Sequence, residues 1–432
     1  MSKTIALLVD NSGSMGYYEF IEYAKTDAAT FVNIMHKNDR CAVVGFNQNA
    51  TVVQPLTVLT NQSVTDGICR KILAMSSDGN TNIGDAIVKA NGQGVTSMVL
   101  LTDGEWNVPP DPLTVLPAYP IYTIALGNSA GINTMQTIAQ RTGGTYHFAP
   151  GYRDLQRVYN EIAQDSTIAD TITNELESVN AYDYREVTVA FSPDIDSGKL
   201  AVNWDDVNVT YTPGTPTGNQ VNISITDPSG QAYAASPVFT APAGVVFDIP
   251  NPAPGIWTVG CWYAGQSGGR PLNCVWGGFE PYGTAKIDLK TKDTLLTIGE
   301  PAGIDLEFSD AGGPITNASI RITIESPRMT IAEAVEMNAG ELKEVAIETD
   351  HDDKIDENLA RAAAFERQTG RSYVPVSRMP LHAIASGNGL YHIDLPQANL
   401  AGHVTLHIVA EGISQKTGSP VKRTRHITMT VT

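Results

Sequence analysis

The segment Asp10-Asn11-Ser12-Gly13-Ser14-Met15-Gly16 sets one carboxylate and two hydroxyls at alternate positions. In an extended loop alternate side chains project to one side, so Asp10, Ser12 and Ser14 converge on one point. Two other segments carry matching groups. Met98–Leu101 reads as a buried strand, and Thr102-Asp103-Gly104 puts a second aspartate at its end. Gly79-Asn80-Thr81-Asn82 precedes a helical pattern that starts near Ile83, so Thr81 offers a hydroxyl at a helix start. All five donors are oxygens. Hard divalent cations take oxygen ligands, and Mg²⁺ keeps several waters in an octahedral shell. Two carboxylates neutralise such an ion, and hydroxyls orient it without adding charge. An open or water-filled position then acts as a Lewis acid toward an incoming carboxylate. Mg²⁺ is the expected ion because the ligand set is compact and rich in hydroxyls, with Ca²⁺ and Mn²⁺ as alternatives. The plainer reading is that Asp10 and Asp103 only cap helices.

These groups converge only if three loops share one edge of a sheet. Ile5–Val9, Ala42–Phe46, Met98–Leu101 and Ile121–Leu126 have the length and composition of buried parallel strands. Helical patterns lie between them at Tyr17–Met35, Ile83–Asn91, Ile132–Thr142 and Tyr152–Asp165. In the first, Phe20, Ile21, Ala24, Ala28, Phe31, Val32 and Met35 fall on one face. Gly143-Gly144 stops the third. Strand–helix alternation predicts a doubly wound, mostly parallel, Rossmann-like sheet, with ligands at the carboxyl ends of its strands.

Asp10-x-Ser12-x-Ser14, Thr81 and Asp103 resemble the metal-ion-dependent adhesion site (MIDAS) of von Willebrand factor A (vWA) domains. Arg40 with Cys41–Phe46, Ile121–Gly127 and Gly143–Ala149 look like strands of the same family, and the resemblance covers residues 1–165. It implies that both serines ligate the ion, and that Thr81 and the aspartates bind it directly or through water. It also implies that a Glu or Asp of a partner protein completes the shell. In some such domains the last helix shifts on binding. Here that helix, Tyr152–Asp165, leads directly into the next unit, so ligand binding is expected to change the angle between domains.

Beyond residue 166 short β-type runs alternate with turns such as Pro213-Gly214-Thr215-Pro216 and Asp227-Pro228-Ser229-Gly230. Two antiparallel β-sandwiches follow from this pattern, at 167–282 and 283–432. The second, of immunoglobulin or fibronectin type III kind, carries a polar, partly helical insertion at about 329–371, with its best helix at Leu359–Gln368. Cys261 and Cys274 flank a glycine-rich turn, which sets them on facing strands of one hairpin within reach of a disulfide. Free thiols are the alternative. The order of an A domain and two sandwiches resembles the non-protease part of chloride-channel-accessory (CLCA-type) proteins and their bacterial relatives. Asp194-Ile195-Asp196 with Trp204, Pro254–Trp257 and Gly387–Tyr391 carry that resemblance. The His-Glu-x-x-His of the family's protease is absent, so self-cleavage is not expected.

The formal net charge of −18 argues against nucleic acid or an anionic membrane surface as partner. No run of about 18 apolar residues exists to span a membrane. Ile5–Val9 is too short for a signal-peptide core, which predicts either a cytoplasmic protein or export by a signal-independent route. Tyr17, Tyr18 and Trp106 neighbour the metal loops and are the candidate partner contacts; packing on the first helix is the alternative. His403 and His407 share a strand face without a third ligand, and Asp350, Asp352 and Asp356 lack the glycine of a calcium loop. An aspartyl phosphotransferase needs a second acid where Ser12 stands, and a Gly-x-Gly-x-x-Gly turn is missing, so the chain is not expected to be an enzyme. Two binding functions remain. One is an adhesion or receptor-recognition protein, and the other an intracellular scaffold that docks an ATPase or similar partner. A Mg²⁺-dependent hydrolase is the more distant alternative.

Overall fold

The computed structural model describes residues 2–17, 20–127, 131–265, 269–282, 285–290, 295–340, 364–366, 369 and 373–432. Its first unit comprises β1 (Thr4–Asp10), α1 (Gly13–Tyr17), α2 (Phe20–Ile34), β2 (Arg40–Phe46), β3 (Ala50–Val58), α3 (Gln62–Leu73), α4 (Ile83–Asn91), β4 (Ser97–Thr102), β5 (Ile121–Leu126), α5 (Ile132–Thr142), β6 (Tyr146–Ala149) and α6 (Tyr152–Asp165). The strands lie in the order β3-β2-β1-β4-β5-β6. All neighbours are parallel except the edge strand β3, which runs antiparallel to β2. Alternation along β1 feeds two cores. Ile5, Leu7 and Val9 pack with α2, α3 and α6, while Ala6 and Leu8 pack with α4 and α5. Within the expected helix Tyr17–Met35 the described residues are helical over Phe20–Ile34 and at Tyr17, and the helix that holds Tyr17 starts inside the metal-loop motif, at Gly13.

The second unit holds β7 (Ala169–Val179), β8 (Asp183–Phe191), β9 (Ser197–Trp204), β10 (Thr210–Tyr211), β11 (Gln220–Thr226), β12 (Phe239–Ala241), β13 (Gly244–Pro250), β14 (Gly255–Ala264) and β15 (Leu272–Pro281). They form a four-stranded sheet, β10-β11-β14-β8, and a five-stranded sheet, β12-β13-β9-β15-β7. β14 and β15 follow one another in sequence but belong to different sheets, so Cys261 and Cys274 do not share a hairpin ladder. Both are buried free thiols, and their side chains meet between the two sheets.

The third unit comprises β16 (Ala285–Leu289), β17 (Leu295–Leu296), β18 (Ala302–Asp310), β19 (Gly313–Pro314), β20 (Ser319–Pro327), α7 (Ile331–Met337), β21 (Val376–Gly387), β22 (Leu390–Leu395), β23 (Gly402–Ile413) and β24 (Pro420–Val431). The sheet folds round a separate core that includes Phe308, Leu406 and Met429. β21 turns the corner: its first half pairs with β20 and its second half with β22. Within the insertion, Thr330 and Glu333 cap α7 reciprocally. Most of the expected helix Leu359–Gln368, and Asp350, Asp352 and Asp356, lie outside the described residues. Among the described residues no helix is long and apolar enough to cross a membrane.

The units meet on α6. The core on the α2/α6 side of the first sheet runs without a break into the core of the second unit, from Ile5 and Phe31 to Trp257 and Trp276. The polar face of α6 is also buried. Asn160 Nδ2 donates to Asn174 Oδ1 (3.0 Å), and Asn174 Nδ2 donates to Arg157 O (2.9 Å) and Glu161 Oε1 (2.9 Å). From the third unit, Arg425 pairs with Glu161 (3.0 Å) and Asp165 (2.7 Å). Arg157 reaches His407 Nδ1 and His426 Nδ1, each at 2.6 Å. A fully buried pair, Glu280 and Arg423, joins the second unit to the third, and Ser192 also donates to Glu280 through its amide (3.0 Å) and hydroxyl (2.8 Å). An interface this apolar and this cross-bonded argues against the expected change of angle between the first two units.

Candidate metal site at the carboxyl edge of the first sheet

Three loops leave the carboxyl ends of β1 and β4 and the start of α4, and their backbones are tied together. Asn11 N donates to Phe46 O (2.9 Å), Gly13 N to Gly79 O (2.9 Å) and Asp78 N to Asn11 O (2.9 Å). Gly13 fits tightly, since a Cβ there would stand 3.3 Å from Gly79 O. The loop around Thr81 is pinned from the third side: Thr81 N donates to Asn107 Oδ1 (2.9 Å) and Asn107 N to Thr81 O (3.0 Å). Asn82 caps α4 by accepting from Asp85 N, and its amide donates to Pro109 O (3.0 Å).

The side chains that sequence singled out meet here. Asp10 is fully buried at the end of β1 and accepts from Ser12 N (2.8 Å) and from Thr102 Oγ1 (2.5 Å). Ser12 Oγ lies 3.2 Å from Ser14 Oγ, and Ser14 Oγ donates to Asp103 Oδ1 (2.8 Å). A methyl group built on Gly104 would be 3.8 Å from both Ser14 Oγ and Thr81 Oγ1, so those hydroxyls face the same small space. Asp10, Ser12, Ser14, Thr81 and Asp103 thus form one cluster drawn from three loops. Thr102 and Asn107 belong to it as well. Neither stood out in the sequence, although Thr102 directly precedes Asp103 in the strand-ending Thr-Asp-Gly.

Electrostatics sharpen the picture. Burial raises the Asp10 carboxyl to about 6, against the hydrogen bonds from Thr102 and Ser12 that favour its charged form. Asp103 is pushed well above the usual carboxylate range by burial first and then by the charge of Asp10. Two desolvated carboxylates beside three hydroxyls form a site of negative potential that an oxygen-seeking cation would relieve. Among the described residues no group of three or more His, Cys, Asp and Glu side chains is arranged for a metal. This donor set does not need one, because hydroxyls supply the remaining oxygens.

The other candidates fall differently. Trp106 is half-buried and packs on the α4/α5 core, which leaves only part of its ring for a partner. Tyr17 ends α1, and Tyr18 lies outside the described residues. His403 stacks on Phe148, with ring centres 3.4 Å apart, and burial lowers it to about 4. His407 joins Arg157, His426 and Glu325 in the α6 junction. A cavity of about 960 Å³ opens at the junction of the three units, walled by Phe148, Arg153, Val158, Glu177, Pro327 and His403 among others, and none of the five donors lines it.

The family model for the von Willebrand factor type A domain matches residues 4–161. No curated protein matches the chain. Among solved structures, the chain is similar to a von Willebrand factor type A protein from Catenulispora acidiphila (15% identity, 72% of this chain and 64% of that one, TM-score 0.36). It is similar to the ArnB paralog VWA2 from Sulfolobus acidocaldarius (12% identity, 72% and 62%, TM-score 0.31). It also resembles the vWF domain of the type V pili tip protein Mfa5 from Porphyromonas gingivalis (14% identity, 38% and 94%, TM-score 0.31). The chain spans less than two thirds of the length of the first two, 64% and 62%.

Proposed function

Because residues 4–161 are a von Willebrand factor type A domain, a class that commonly mediates protein–protein interactions, we propose that the chain is a divalent-metal-dependent protein-binding protein. The observation that carries this reading is the convergence of Asp10, Ser12, Ser14, Thr81 and Asp103 at one sheet edge, with both carboxylates buried and raised. These residues would hold the ion, with Mg²⁺ first and Mn²⁺ or Ca²⁺ as substitutes. When bound, the cation supplies a Lewis-acidic position that takes a carboxylate from the partner. The chain's own part is positional. Thr102 and the Ser12 amide orient Asp10, Ser14 links Asp103 to the first loop, and Asn107 keeps Thr81 facing inward. One contact favours binding over phosphoryl transfer. Ser12, where a phosphotransferase would place its second acid, is engaged with Ser14.

Calorimetric titration of EDTA-stripped protein with Mg²⁺, Mn²⁺ and Ca²⁺ tests the ion, with Asp103→Ala as comparison. Capture of binding partners by wild type and by Asp103→Ala, each with and without EDTA, tests the role. Saturable binding of an ion that Asp103→Ala loses, with partner capture lost in parallel, supports the reading. Equal ion affinity in both proteins, or capture indifferent to EDTA, removes the metal from the function.

A further inference from the structure

The second unit presents a sheet face that is open to solvent around β14, while Lys422 of β24 reaches Thr188 Oγ1 (3.3 Å) at its β8 end. On β14 the outward residues are Ile256 (59% exposed), Thr258, Gly260 and Trp262 (40% exposed). Trp262 lies directly opposite Tyr184 on β8 and Asn222 on β11. Tyr184 is itself exposed, yet its ring lies down on the sheet. A Cβ built on Gly260 would stand 2.0 Å from Tyr184 Oη and 2.4 Å from Cζ, and Oη reaches Ser224 Oγ (3.3 Å) on the far strand. The ring therefore crosses β14 from β8 to β11, flat against a glycine that has no side chain to lift it. Beside it Tyr182 is 59% exposed at φ +61°, and its amide donates to Tyr263 O next to Trp262. A bulky residue in the left-handed region carries strain that its own packing does not offset here.

The remaining groups on the face are mostly neutral. β11 offers Gln220, Asn222, Ser224 and Thr226; β8 offers Thr188, which Lys422 meets, and Glu186, whose carboxylate bonds the Tyr184 hydroxyl. The unit around it carries 12 acidic against 3 basic residues over 167–282, which repels polyanions and acidic peptides. Flat rings, amides and hydroxyls, with a carboxylate at the margin to accept from hydroxyls, match one ligand class: rigid, uncharged molecules with apolar C–H faces and hydroxyl edges. Pyranose sugars have that form, stacking their C–H faces on aromatic rings whose outer surface is apolar. A protein hot spot would instead need a pocket and a surrounding rim, and this face is an open sheet.

We propose that the outer face of the β10-β11-β14-β8 sheet is a binding platform for neutral glycan chains, with Trp262 and Tyr184 as the stacking rings, Gly260 as the floor that lets Tyr184 lie flat, and Tyr182 at the rim. The site is independent of the cation cluster. Affinity electrophoresis and calorimetry on the full chain would use a β-1,4-glucan, an α-1,4-glucan, a chitin oligomer and a galactan, with heparin as the polyanion. At least one neutral glycan is expected to bind, heparin is not, and EDTA leaves the affinity unchanged. Trp262→Ala is expected to weaken binding about tenfold or more, and Trp262→Phe to retain most of it, with the melting temperature of each variant reporting its fold. Retardation by none of the neutral glycans, stronger binding to heparin, or undiminished affinity in folded Trp262→Ala overturns the proposal. Loss in EDTA would instead place the binding at the metal edge and overturn it equally.

Discussion

Replacing Asp10 by asparagine is expected to stabilise the metal-free protein at neutral pH. Asp10 is fully buried and its carboxyl is raised from 3.8 to about 6. A tenfold change in proton affinity is worth about 1.4 kcal/mol, so keeping this carboxyl ionised at pH 7.5 costs roughly 3 kcal/mol. A carboxyl whose folded value is raised costs stability at high pH, and the cost fades as pH falls from 6 to below 3.8. Asparagine removes the charge and can keep the bonds. Its oxygen accepts from Ser12 N, and its amide donates to Thr102 Oγ1, which still reaches Gly104 O (3.1 Å). In EDTA at pH 7.5 the variant should therefore melt higher, by about 6–12 °C if the first unit melts alone and by less if its neighbours melt with it. At pH 4 the two proteins should melt within a degree or two of each other. In Mg²⁺ at a thousand times the dissociation constant the order reverses, since wild type gains about 4.1 kcal/mol and the variant does not. A variant that melts lower in EDTA at pH 7.5, or one that gains equally at both pH values, would refute the reasoning.

Three further outcomes follow from the interfaces and the thiols. Acid should loosen the contact of α6 with β23 and β24: burial first, then Arg157, holds His407 and His426 below their ordinary 6.5, so the separated form takes up protons that the packed form refuses. Amide protection factors in these elements, corrected for the intrinsic pH dependence of exchange, should thus fall as pH drops below about 6.5, and equal protection at pH 7.5 and 5 would count against it. Arg423→Met leaves the Glu280 carboxylate buried beside Ser192 and should cost about 3–5 kcal/mol in urea unfolding, most of it restored by adding Glu280→Leu. Ellman's reagent should find no thiolate in the native protein and four thiols after denaturation; two would mean that Cys261 and Cys274 are bonded.

What could be read from sequence was whatever depends on neighbours along the chain. Ile5–Val9 and Met98–Leu101 are continuous apolar runs, and the residues just after them inherit a sheet edge, so the oxygen cluster was legible before any fold. β3 was not, because Pro55 and its half-buried, mixed face mark an edge strand that looks like a loop. β7 escaped for a similar reason: Asn174, Glu175 and Glu177 look like solvent residues, yet Asn174 is buried against α6. The polar stripe of α6 also reads as a wet face. Gln156, Asn160, Glu161 and Gln164 are dry only because residues distant in the chain supply their neighbourhood, as Arg425 does for Glu161. The Cys261–Cys274 turn was legible in part: the two thiols do meet, but across the two sheets rather than along one hairpin, because the short connection carries the chain from one sheet to the other.

The grip on α6 also bears on how the molecule could engage two things at once. The expected swing between the first and second units has no soft joint to occur in, because one core runs through both. The oxygen cluster and the aromatic sheet face therefore sit on one continuous core, which sets their separation and orientation. A partner and a glycan on the same surface would be held together only where their own spacing matches that separation, and elsewhere each would bind as though the other were absent.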